Sequence, residues 1–286
     1  MLRLRLFLIF ISLLLVPNSR LRAQLFFSGT EYGITMGASQ YFGDLNDNYG
    51  LKFVRPAGGI FVRHLMNSYI ALRGTLSYTQ VGYDDALNNN EFEKARNLSF
   101  TSNIVEIAIQ SEFNFTRFST GDNGHRFTPY LTGGIGAFYY NPQAMFNGKL
   151  EDLRKLGTEG QNLGGYDSRK YHSIAACFPI GLGFKYWLKP GFNLGFEIAD
   201  RLTLTDYLDD VSTSYVGKDK FFDNPDHPNP AYYLQDRSQG QFLGREGKQR
   251  GNSASFDQYM YAVFNLSFQL KVYRCPTYLQ KDEFEQ

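Results

Sequence analysis

Four acids and four bases occupy otherwise polar, alternating positions along the chain: Glu31, Glu106, Glu112 and Glu197 against Arg63, Arg73, Lys185 and Arg201. Carboxylates gathered in a cavity can divide into a general acid and a general base. Equal numbers of opposite charge point elsewhere, to side chains that neutralise one another in a confined interior. The histidines, His64, His125, His172 and His227, lie on different segments or turns and show no zinc-ligand spacing. His172 with the Asp and Ser of "TDYLDDVSTSY" could be cast as a hydrolytic set, and the same acids as a calcium loop. No spacing singles them out, and the Gly and terminal Glu of an EF-hand loop are missing. Solvated loop residues are the plainer reading. No catalytic residue, cofactor or metal site is therefore expected, and the chain is not expected to be an enzyme.

The elements that would position the eight charges follow from the rest of the chain. Its 286 residues carry a formal net charge of +1, with 16% aromatics and 28 Gly. The length suits one or two folded units with ample core, and the aromatic and glycine content leans toward β structure. At the start, "MLRLR" and the apolar run "LFLIFISLLLV" precede Leu21-Arg22-Ala23, the anatomy of a secretory signal peptide (1–23) cleaved after Ala23. Losing Arg3, Arg5, Arg20 and Arg22 takes the charge from +1 to −3. Neither sign is strong enough to argue for nucleic acid. Past the leader no apolar run is long enough for a spanning helix, so a membrane-resident form has to be a closed barrel.

Eight segments alternate apolar and polar residues: 30–41, 56–65, 68–82, 98–116, 127–140, 173–187, 191–205 and 257–272. In "SYIALRGTLSYTQ" (68–80), Ile70, Leu72, Leu76 and Tyr78 share one face, and Ala71, Arg73, Thr75, Ser77 and Thr79 the other. The fourth segment sets Val105, Ile107, Ile109, Phe113 and Phe115 against Glu106, Ala108, Gln110, Glu112 and Asn114; the eighth sets Met260, Ala262, Phe264, Leu266, Phe268 and Leu270 against Asn265, Ser267, Gln269 and Lys271. Many segments match the roughly 9 to 11 residues of a tilted bilayer crossing.

Connections sort by parity. Those after segments two, four and six are short, while those after one, three, five and seven run about 14, 15, 32 and 51 residues. The predicted fold class is all-β, an eight-stranded antiparallel up-and-down transmembrane barrel over 24–272, with short periplasmic turns and long extracellular loops. A short tail, 273–286, and both termini are then periplasmic, and outer-membrane lipids surround the barrel. Aromatics near segment ends, at Tyr41-Phe42, Tyr78, Phe113-Phe115, Tyr139-Tyr140 and Tyr186-Trp187, are expected to form girdles. Pro179 implies a bulge or a local break.

With the polar faces inward, the eight charged residues form an ion-pair plug in the lumen. Arg73, Glu112, Lys185 and Glu197 fall in a layer near the short turns, with Glu106 and Arg201 higher. An eight-stranded interior is just wide enough for side chains to fill, so a closed barrel is expected in place of a pore. Cys177 and Cys275 fall toward opposite ends of the barrel, too far apart for a disulfide.

Several stretches resemble the PorG proteins of the type IX secretion system of diderm bacteria: "EYGITMGASQYFGDLN", "RNLSFTSNIVEIAIQSEFNF", "TPYLTGGIGAFYYNPQA", "LGTEGQ", "IGLGFKYWL", "FEIADRLTLTDYLDDVSTSYV" and, near the end, "RCP". They occur in the family's order over nearly the whole mature chain. The resemblance implies an integral outer-membrane barrel that anchors a periplasmic ring of a lipoprotein and its partner (PorK- and PorN-like), serves protein export and, in gliding species, motility. Arg274, Cys275 and Pro276 are candidates for the periplasmic contact. The alternative, from another class, is a small receptor or transport barrel that binds an external ligand through its long loops.

Overall fold

The computed structural model describes residues 29–120, 123–189, 191–238 and 243–269. The expected leader and the tail with Arg274, Cys275 and Pro276 lie outside the described residues. Nine strands follow one another: β1 (Thr30–Phe42), β2 (Arg55–Leu65), β3 (Ile70–Asp84), β4 (Ser99–Asn114), β5 (Phe127–Phe146), β6 (Lys149–Asp152), β7 (Ile174–Lys189), β8 (Phe192–Thr203) and β9 (Gln258–Gln269). All pairings are antiparallel, and β1 pairs with β9, which closes eight of the strands into a cylinder. Closure removes the open edges that a flat sheet of this size would expose. Short β6 is an addendum, paired to the end of β5 alone.

Strict alternation makes the two faces chemically opposite. Along β4, Ile107 is 63% exposed while Glu106, Gln110 and Glu112 are fully buried. Met36, Ile60, Ile109, Ile135, Leu182 and Phe264 continue the outer apolar surface round the cylinder. The inside has two storeys. Toward the short connections it is ionic; toward the long ones it is a cluster of buried apolar and aromatic side chains that includes Tyr41, Phe100, Phe138, Tyr140 and Tyr259.

Three details refine what the segment pattern suggests. β5 continues past residue 140 because Asn147 and Gly148, with φ of 48° and 79°, form a two-residue turn of the kind favoured in hairpins, and β6 returns along it. Of the bulge or local break expected at Pro179 the structure has the break: the β5–β7 ladder skips two pairs around it with no change of register, while Pro179 still sits opposite Arg201 on the β8 side. Lacking an N–H, it can face only one neighbour as a full ladder member. Of the aromatics assigned to girdles, Tyr78, Phe113, Phe115, Tyr139 and Tyr186 are outside, but Tyr41, Phe42, Tyr140 and Trp187 are buried. Adjacent residues on a strand point to opposite faces, so only one member of Tyr139-Tyr140 and of Tyr186-Trp187 can lie outside, while at the end of β1 both Tyr41 and Phe42 are covered.

The outer apolar surface sets a test. Ile135→Arg, in the middle of β5 with its neighbour Ile109, should cost about 2–4 kcal/mol if the belt lies in hydrocarbon. Equilibrium unfolding from lipid vesicles measures it, and a cost near zero would show that this face meets water.

Candidate functional site

Glu112 on β4 is the centre of the ionic storey. Its oxygens lie 2.9 Å from Arg63 Nε, 3.1 Å from Arg73 Nη1 and 2.8 Å from Lys185 Nζ. Register makes this necessary: Arg63 on β2 sits directly opposite Arg73 on β3, a pairing of like charges that is unfavourable unless an anion comes between them. Glu31 completes the Arg63 side at 2.8 Å, and Glu197 the Arg73 side at 2.6 Å. The Arg73–Glu197 contact is two-pronged, with Nη2 donating to Oε1 at 2.9 Å. Three carboxylates thus meet three cations, all buried.

Glu106 and Arg201 form a separate pair at 3.2 Å, one storey higher, with the Tyr259 hydroxyl donating to Glu106 at 2.7 Å. The structure therefore brings all eight sequence-chosen charges into contact, in a group of six and a pair. Sequence pattern did not single out the neutral partners. Asn193 Nδ2 and Ser267 Oγ donate to Glu31, Tyr130 OH donates to Glu197, and Gln110 Oε1 accepts from Arg73. Their signal was only inward parity. The gap flanked by Arg73, Gln110, Glu197, Arg201 and Tyr261 amounts to about 20 Å³, room for about one water.

A second polar centre roofs the barrel. Arg96, from helix α1 (Glu91–Arg96) in the β3–β4 loop, grips Asp85 through Nε and Nη2 at 2.8 and 2.7 Å and reaches the Arg250 carbonyl at 2.9 Å. Arg250, ahead of β9, meets Glu159 at 3.1 Å. Glu159 belongs to "LGTEGQ" and also accepts from the Ser212 amide and the Thr213 hydroxyl of the β8–β9 loop. Thr158 beside it donates to Asp210. Two stretches that carry the family resemblance thus lock together.

This corrects the expectation that "TDYLDDVSTSY" is solvated. Asp209 and Asp210 are fully buried and Asp206 nearly so, because the β5–β7 connection folds over them. His172 is exposed while Asp210 and Ser212 are buried, so no Ser-His-Asp relay forms. No three His, Cys, Asp or Glu side chains are placed to hold a metal among the described residues. Cys177 is a free, buried thiol, and Cys275 lies outside the described residues.

Burial dominates the titration of these acids. It pushes the Asp206 carboxyl up to about 7 and those of Asp44 and Asp210 up to about 6. Asp209 and Asp257 are raised well above the ordinary carboxylate value by burial, and each also by neighbouring carboxylates.

Two outcomes follow from these centres. Glu112→Gln leaves three buried cations facing a neutral amide and should cost about 3–5 kcal/mol in unfolding free energy, whereas Glu151→Gln, in an exposed pair with Lys149, should leave the unfolding midpoint unchanged. In the roof, a raised carboxyl stabilises the folded form while it is protonated. That contribution is complete below the ordinary carboxylate value of about 4 and is lost as pH rises through about 6 to 7. Amide protection of the β8–β9 loop, measured by hydrogen exchange and corrected for intrinsic rates, should fall between about pH 5 and about pH 8, and Asp206→Asn should flatten the fall.

Solved structures with a similar arrangement include three bacterial barrel proteins. The N-terminal β-barrel domain of Pseudomonas aeruginosa OprF matches at 10% identity with a TM-score of 0.36, covering 85% of this chain and 99% of that one. Neisserial surface protein A matches at 9% and 0.42, covering 85% and 98%. Ail, the attachment invasion locus protein of Yersinia pestis, matches at 9% and 0.41, covering 85% and 99%. Such distant likenesses concern architecture alone. No curated protein matches the sequence. Residues 5–222 match the family described as Domain of unknown function (DUF6089), and since this is well over half of its length, the chain belongs to that family.

Proposed function

We propose that this chain is a non-enzymatic outer-membrane barrel of the type IX protein secretion apparatus, acting as a membrane anchor and not as a conduit. One observation carries the anchor reading: the cylinder is apolar outside and neutralised by salt bridges inside. Hydrocarbon is the solvent that suits such an exterior, because the strands pair round a closed sheet with no open edge. A steady aqueous path would require several of these buried pairs to part at once, each separation leaving a charge without its partner.

The assignment to type IX secretion rests on the ordered PorG-like stretches, from "EYGITMGASQYFGDLN" in β1 to "FEIADRLTLTDYLDDVSTSYV" in β8 and beyond. A rigid barrel suits a role in which periplasmic proteins are held at the membrane. The partners in this reading are outer-membrane lipids and the ring-forming lipoprotein with its companion, met by the short turns and by the tail that contains Arg274, Cys275 and Pro276. In gliding species the same anchor would serve motility.

Two measurements test the two halves. In planar bilayers the purified chain should show no steady conductance above leak, and a sustained open level would refute the anchor. Detergent extraction of native outer membranes should recover the ring lipoprotein with the barrel; recovery of the barrel alone, with the ring intact elsewhere, would refute the type IX role and leave the first result standing.

A further inference from the structure

A cleft of about 370 Å³ opens at the long-loop end, between the β1–β2 loop, helix α1 and the stretch ahead of β9. Its walls carry Asp44, Asp47 and Glu93 together with Arg96 and Arg250. Both guanidinium groups are already committed, Arg96 to Asp85 and Arg250 to Glu159, and those two acids are fully buried. Among the described residues none of the three carboxylates of the cleft forms an ion pair of its own, although Arg96 lies near enough to ease the charge on Asp44 and Glu93.

Glu93 is the decisive one. It is 5% exposed, its Oε2 is buried with no hydrogen-bond donor, and its Oε1 has only a long 3.5 Å contact from Asn90 Nδ2. A buried carboxylate oxygen with no donor is costly, so the site is incomplete as the chain alone builds it. The rim supplies a different chemistry. Phe92, Tyr49 and Phe256 stand around the cleft, all well exposed. Aromatic faces beside unpaired carboxylates are the pattern that holds alkylammonium groups. The donors do not converge on one point as a metal would require, and the volume is that of a small-molecule site.

We propose that this cleft binds a small organic cation, an aliphatic amine or polyamine, with its ammonium group on Glu93 and Asp47 and its alkyl body against Phe92, Phe256 and Tyr49. Burial, with Asp47 next in effect, raises the Glu93 carboxyl, and neighbouring Arg96 offsets only part of this. The ligand arrives from the long-loop side, opposite the short turns, so this binding is independent of any periplasmic partner.

Calorimetric titration of the full chain in detergent with spermidine, and separately with cadaverine, tests it. Saturable binding of at least one amine is expected, weakened at least about tenfold by Glu93→Gln and also reduced by Phe256→Ala, which removes a rim ring and no charge. The Phe256 variant keeps the test decisive if the Glu93 variant does not fold. Absence of saturable binding for both amines, affinity unchanged in both variants, or calcium displacing the amine one for one would overturn the proposal.

Discussion

A buried carboxylate shared by three cations is the constraint on which this molecule depends. Glu112 lies inside a cylinder too narrow for bulk water, and its three partners come from β2, β3 and β7. Charges taken out of water are tolerated only when their partners are in place, so the ionic storey is stable as a set and not as separate pairs. Glu31 and Glu197 bring the group to neutrality, and neutral donors from β5, β8 and β9 fill most of the remaining lone pairs. Since these groups come from nearly every strand, the ion network and the closed sheet specify each other.

The same constraint explains the inversion of the faces. A barrel wall is one residue thick, and a period of two sends every second side chain outward. With charges filling the inside, the outward set is free to be apolar, and Ile107, Ile135 and Leu182 present branched side chains with no protein cover. Pro179 is accommodated in the wall by the loss of a few hydrogen bonds toward β5, not by a shift of register, because a one-residue slip would exchange the two faces.

Above the ionic storey the interior changes character. Stacked rings of Tyr140, Tyr171 and Tyr207 lead from the barrel into the loops, and Arg96 and Arg250 tie three long connections together. These connections form an ordered roof, with Glu159 under the β8–β9 loop and more carboxylates than guanidinium groups beneath it. An excess of buried acid has to be met by protons or by an external cation. The roof therefore carries an unbalanced charge, whereas the charges of the lumen neutralise one another.

What could be read from the sequence is whatever depends on short-range periodicity. Alternation in segments such as 98–116 established the strands, the parity of loop lengths established up-and-down order, and inward parity selected Glu31, Arg63, Arg73, Glu106, Glu112, Lys185, Glu197 and Arg201. Parity gives the face of a residue but not its height relative to other strands, so which acid meets which base, and the sharing of Glu112, waited on the register. Tyr41, Phe42, Tyr140 and Trp187 do not join the girdles for a related reason: a cluster of aromatics marks the end of a strand but not which of its members points outward. The roof was invisible because its contacts join residues such as Glu159 and Arg250 across irregular loops, where no repeat links sequence to direction. Local backbone geometry alone decides which way a strand residue faces; only the closed three-dimensional chain decides what it meets there.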